Sequence, residues 1–212
     1  ISGNLYGAKD FHELVDCPVL ASDELQHHAF EVDQLPVHLW MYGVAKPDYD
    51  KITADFTGFI KEQVAAYGGF PEKDYHFLML ITPYRKYHGV EHANSTVLTL
   101  GPGYALMFGA YKDLLELASH EFYHAWNIKK IRPAEMMPYD YSKPNLFTTG
   151  FIAEGVTTYY GDLTLARGNV YPWSKYYSIL TESFQRHKDN AARFYKSLAE
   201  SSLELWLDGY DR

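Results

Sequence analysis

Lys112-Asp113-Leu114-Leu115-Glu116-Leu117-Ala118-Ser119-His120-Glu121-Phe122-Tyr123-His124-Ala125-Trp126-Asn127 is the stretch on which the fold turns. Its apolar residues Leu114, Leu115, Ala118, Phe122, Ala125 and Trp126 recur at helical spacing, which predicts a helix over 112–127 with one face in the core. His120 and His124 lie off that face. Residues four apart are separated by roughly 40° around a helix axis, so both imidazoles point the same way, toward a cleft. That spacing lets one zinc ion bridge two neutral rings. Glu121 is rotated by roughly 60° from His124, beside such an ion rather than on it, where a general base for an activated water must sit.

A catalytic zinc takes a third protein ligand and keeps an open position. The next helical pattern, Gly150 to Ala166, contains Ala153-Glu154-Gly155-Val156-Thr157-Thr158-Tyr159-Tyr160-Gly161-Asp162. Glu154 opens that pattern, and Gly161, seven residues on, lies close to the same face and would let the two helices approach closely. Spacing alone leaves Asp140 and Asp162 open beside Glu154 as the third ligand. Asn127, Thr158 and Asp162 are equally open as partners that orient the ligands.

Working outward, residues 1–102 mix strand and helix signals, and 103–212 are mostly helical. Val37 to Tyr42 has strand composition and stops at Gly43. From an Asp48 N-cap, Tyr49, Ile52, Phe56, Phe59, Ile60 and Val64 mark one helical face, ended by Gly68-Gly69 and Pro71. Tyr75 to Ile81 reads as a buried strand. Val90 to Leu100 reads as one further strand, polar at first and therefore suited to a sheet edge. Arg132 to Asn145, with three prolines, reads as an ordered loop, and a last long helix runs from Tyr171 and Pro172 to about His187. The resulting expectation is an α+β chain forming one unit, a small mixed sheet with an edge strand followed by a helical half.

The 212 residues carry 19 Lys and Arg against 27 Asp and Glu, a net charge of −8 that disfavours a nucleic-acid partner. Hydrophobic residues at 47% supply a real core, and no apolar run reaches the length of a membrane span. A single cysteine, Cys17, excludes an internal disulfide or a multi-Cys zinc site. The start, Ile1-Ser2-Gly3-Asn4, has neither Met nor a signal-like pattern, which reads as a cut from a longer chain. Leu203-Glu204-Leu205-Trp206-Leu207 places an apolar cluster near the end, with the expectation that its packing partner lies further on.

His120 to Pro133 (HEFYHAWNIKKIRP), Tyr139-Asp140-Tyr141 and AEGVTTYYGDL together resemble the glycyl aminopeptidase family of gluzincin zinc peptidases. The likeness extends to Glu13-Leu14-Val15-Asp16, to Gly89-Val90-Glu91-His92-Ala93-Asn94-Ser95 and to Ser197–Ser202, so it covers nearly the whole chain. It implies a thermolysin-like catalytic domain with one zinc ion held by His120, His124 and Glu154, and Glu121 as the base. It also implies that Gly89 and Glu91 lie on the edge strand and bind substrate, with Glu91 taking the free α-amine of a peptide. In that family the catalytic part is flanked by an N-terminal β domain and a C-terminal region with a PDZ module. A tyrosine that stabilises the oxyanion falls in a Y-Y-x-K-G stretch, which here would come after Arg212. The implied activity is removal of small N-terminal residues, Gly or Ala. The rivals are a thermolysin-like endopeptidase and a zinc- or peptide-binding module without catalysis.

Overall fold

The computed structural model describes residues 7–43 and 46–205. Its frame is a five-stranded mixed sheet built by β1 (Gln26–Val32), β2 (Leu35–Tyr42), β3 (Tyr75–Ile81), β4 (Lys86–Glu91) and β5 (Ser95–Gly101). The strands stand in the order β1-β2-β3-β5-β4. The three central strands run parallel, and β1 and β4 pair antiparallel at the two edges. A short N-terminal helix, α1 (Phe11–Val15), precedes the sheet, and α2 (Tyr49–Tyr67) makes the crossover between β2 and β3.

Period-two alternation explains the central strands. Val37, Leu39 and Met41 of β2 are completely buried while their neighbours are half-buried, so one sheet face is sealed by helix and the other is more open. On the sealed side Ile52, Phe56, Phe59 and Ile60 of α2 meet Phe77, Met79 and Leu98. The helix starts where the Asp48 carboxylate accepts from the Lys51 N–H. It stops where Gly68 turns to a φ of 73° and closes the last turn.

Two expectations about the first half are corrected. Residues 90–100 are not one strand: β4 and β5 form a hairpin that reverses at His92-Ala93-Asn94, and the edge strand is β4 rather than the 90–100 segment. The turn lacks Gly and Pro. It is held by Asp16, whose carboxylate accepts from the Ala93 N–H at 2.9 Å and lies 3.4 Å from the His92 ring. β1 was absent from the expected elements, because its outward positions His27, Ala29 and Glu31 are exposed and give an edge strand little apolar signal.

In the second half α3 (Tyr111–Tyr123) covers the sheet beside α2. Leu114, Leu115, Ala118, Phe122, Ala125 and Trp126 all enter the core, as their spacing predicts. The helix ends three residues before Trp126, and His124 is its C-cap. A loop leads to a π-helical turn, Phe151–Val156, that continues into α4 (Thr157–Arg167), followed by α5 (Trp173–Asp189) and α6 (Leu198–Leu203). Ser202 is buried and accepts from the Phe151 N–H, which ties α6 to the π turn. Trp206, Leu207 and Arg212 lie outside the described residues, as do the first six. Among the described residues no helix is long and apolar enough to cross a membrane.

Candidate active site

α3 and α4 are pressed together by their small residues. A Cβ on Gly161 would lie 3.2 Å from the His120 Cα, so glycine there permits an approach that a side chain would crowd by a few tenths of an ångström. The Ser119 hydroxyl donates to the Gly161 carbonyl at 2.8 Å. The buried Gln63 amide of α2 donates to the Ser119 carbonyl and to the hydroxyls of Ser119 and Thr164. With both helices fixed in depth and register, the side chains of their facing ends converge.

Three donors meet there. The Nε2 atoms of His120 and His124 are 3.0 Å apart, and Oε2 of Glu154 lies 3.3 Å from the first and 3.7 Å from the second. Nδ1 of His124 is 2.7 Å from the Asn127 carbonyl and therefore carries a proton, so Nε2 is the nitrogen that faces the centre and the one a metal would take from the neutral ring. The Thr158 hydroxyl sits 3.3 Å from Nδ1 of His120 in the same supporting position. Asp140 is exposed and bonds within its own loop to Ser142. Asp162 lies two turns along α4, outside the donor cluster. Of the three acids that spacing left open, Glu154 alone joins the histidines in a donor group among the described residues.

The surrounding carboxylates favour positive charge at this point. Burial disfavours charge on Glu154, yet the two histidine rings hold its carboxyl far below the usual carboxylate range. Burial lowers the His120 pKa. The same desolvation acts on His124, but Glu154, Glu91 and Glu121 outweigh it and push that ring up to about 9. Two ring nitrogens at this separation have room for one positive charge between them, and three carboxylates surround it. One Glu121 oxygen, Oε2, is buried without a hydrogen-bond partner, and burial pushes that carboxyl up to about 8, with Glu91 and Glu154 adding to the rise. Two imidazole nitrogens, a carboxylate oxygen and an orphaned neighbouring carboxylate make a donor set that fits a single zinc ion.

Gly89 and Glu91 reach the site from β4. Oxygen atoms of Glu91 and Glu121 and a ring nitrogen of His124 lie within 4.8 Å of one another, so Glu91 reaches the same centre from the sheet edge. Gly89 lies directly over Glu121: a Cβ at 89 would overlap its carboxylate. The cleft above them has a volume of about 920 Å³ and is lined by Tyr87, His88, Gly89, His120, Glu121 and Glu154, among others. His124 is buried behind His120 and does not face it.

Sequence reasoning offered Asn127 as a partner of the ligands but not through its carbonyl, and it missed Thr157, Asp16 and Lys129. The Asn127 backbone carbonyl has no sequence signature. Thr157, whose hydroxyl is 3.4 Å from Nδ1 of His124, was hidden in a helical pattern with two adjacent threonines. Asp16 and Lys129, paired at 2.6 Å, brace the turn after Glu91 from positions far apart in the chain.

Residues 113–212 match the family model of the M61 glycyl aminopeptidases. No curated protein matches this chain. Among solved structures, that of an aminopeptidase N family protein from Idiomarina loihiensis is similar, with a TM-score of 0.86 and 28% identity over 94% of this chain and 35% of that one. The chain thus spans about a third of that protein's length. The matched segment contains the His120–His124 motif and Glu154, and the shared fold extends to the sheet that presents Gly89 and Glu91. The chain is thus similar to the M61 glycyl aminopeptidases over its helical half and to an aminopeptidase N family protein over nearly its whole length.

Proposed function

We propose that this chain is the catalytic part of a zinc-dependent aminopeptidase that removes small N-terminal residues, Gly or Ala, from peptides. The observation that carries the reading is the convergence of His120, His124 and Glu154 on one point, with an unpartnered Glu121 oxygen beside it. Zinc, when bound, supplies a Lewis acid that polarises a carbonyl and lowers the pKa of water.

The residues of the chain supply the rest. Glu121 accepts the proton of the attacking water at its free oxygen and hands it to the departing amine. Glu91, carried by the edge strand, accepts the hydrogen bonds of the substrate's α-ammonium and so measures the distance from chain end to scissile bond. The free edge of β4 offers backbone groups to which an extended peptide adds as a further strand. Gly89, lacking a Cβ, leaves the room that the Glu121 carboxylate occupies against the edge strand.

Two variants of the intact protein test the assignment. Glu121→Gln should keep stoichiometric zinc and lose about 10²-fold or more in kcat on glycyl and alanyl anilides. Wild-type turnover by that variant would refute the base. Glu91→Ala should raise KM for free-amine substrates by about tenfold and leave N-acetylated peptides unaffected. An equal loss on both substrate types would mark an endopeptidase instead.

A further inference from the structure

The third ligand is carried by a π-helical turn, Phe151–Val156, rather than by α4 itself. In such a turn the backbone bonds run from i to i+5, the helix is widened, and carbonyl groups need partners from outside; these turns recur at functional sites. Here the partner is one side chain. The Asn127 amide nitrogen donates to the Ile152 carbonyl at 3.0 Å, the Ala153 carbonyl at 3.2 Å and the Thr157 hydroxyl at 3.0 Å. The Thr157 hydroxyl in turn donates to the Ala153 carbonyl. Asn127 is itself buried.

The same residue holds the other half of the donor set through its backbone. Its carbonyl accepts the Nδ1 proton of His124. That carbonyl is directed back onto the ring by an abrupt reversal of the chain: the next residue, the β-branched Ile128, has a φ of 135°, a region such side chains rarely enter. Packing does not do this work on the far side of the turn. A hollow of about 190 Å³ lies there, lined by Asn127, Ile128, Ile131, Thr149, Ile152 and Ala153.

We propose that Asn127 is a positioning residue that sets the two halves of the metal site against each other. Its carbonyl fixes His124 in the tautomer with a free Nε2, and its amide fixes the π turn so that Glu154 faces the two rings. This inference rests on the reading of His120, His124 and Glu154 as one donor set. It predicts that the amide matters to the ion through Glu154 alone, because the carbonyl survives any change of side chain.

Asn127→Asp in the intact protein keeps size and shape and removes both donated N–H groups. Competition with a chromophoric chelator should then show zinc held 10- to 100-fold more weakly. The visible absorption of the Co²⁺-substituted protein should change in shape as Glu154 leaves the ion. His124 should keep its Nδ1–H tautomer in the ¹⁵N spectrum, a combination that general loosening would not produce. Thr157→Val, which keeps the shape and removes the hydroxyl, provides the same reading should the first variant fold poorly, with a loss of several-fold. Undiminished zinc affinity and an unchanged cobalt spectrum in both variants overturn the proposal. Wild-type protein that takes up neither ion overturns the donor set itself, and the proposal with it.

Discussion

The layer between the sheet and α2 and the seam between α3 and α4 are both buried, but by opposite means. In the first, Val37, Leu39, Met41, Phe77, Met79 and Leu98 meet Ile52, Phe56, Phe59 and Ile60, all apolar and all without exposed surface. In the second, Ser119, Thr164, Gln63 and the Gly161 carbonyl form a connected hydrogen-bonded network, continued by Asn127 and Thr157 at the π turn. Apolar contact is non-directional and stabilises in proportion to area. A buried hydrogen-bond network adds less net stability but admits one register of the two helices. The sheet layer therefore holds the fold together, and the seam decides where His120, His124 and Glu154 stand.

Deleting from the apolar layer should break the fold's stability and spare the site's geometry. Phe56→Ala removes a fully buried ring that contacts Phe59 and Phe77, and should cost about 3–5 kcal/mol in denaturant unfolding. The zinc affinity of the remaining folded protein should stay within about twofold of wild type. A tenfold loss of affinity at full folding would erase the distinction between layer and seam.

Legibility in the sequence follows the same division. The layer is written in local periodicity, so β2, β3, α2 and the core face of α3 could be read from spacing and caps. The His120–His124 pair could be read for the same reason, since four residues on one helix fix a direction without help from elsewhere. What could not be read depends on partners remote in sequence. Glu154 was one acid among three until the family likeness selected it, because its distance from His120 is set by Gly161 and the π turn. The turn at His92–Asn94 was mistaken for continuous strand because Asp16, not a local Gly or Pro, shapes it. The π turn itself shares its apolar pattern with an α-helix, and the partners of its backbone, Asn127 and Ser202, are remote in sequence.

Asp16 sharpens the comparison, since it is a polar clamp that reaches the sheet edge. Burial works against its charge, but His92, Lys129 and the Ala93 N–H outweigh it and hold the carboxyl down to about 2 from an ordinary 3.8. A folded pKa below the unfolded one contributes stability above about pH 4 that fades as pH falls toward 2. The charge is worth about 2 kcal/mol at neutral pH by that linkage. Asp16→Asn should show that deficit in urea unfolding at pH 7 and converge on wild type near pH 2. Because the clamp braces the turn next to Glu91, KM for free-amine substrates should rise as well. A constant deficit across this range would mean that shape rather than charge holds the turn.

The smallest expected effect has the opposite sign and comes from the cleft side of the seam. Asp162 lies on α4 facing the same cleft as Glu154. Burial, then the neighbouring Glu116, push its carboxyl up to about 6, against the pull of Lys112 and Arg186. A folded pKa above the unfolded 3.8 means that ionising this group costs stability as pH rises from about 4 through 6, and the full cost is present above that. Screening at a partly open cleft leaves about 1 kcal/mol of it. Asp162→Asn should therefore melt about 2–4 °C above wild type at pH 8 and show no difference below pH 4. A variant that melts lower at pH 8 would mean that the Asp162 charge is matched by Lys112 and Arg186, and that the seam tolerates ionised groups as readily as the network of Gln63 and Ser119 tolerates neutral ones.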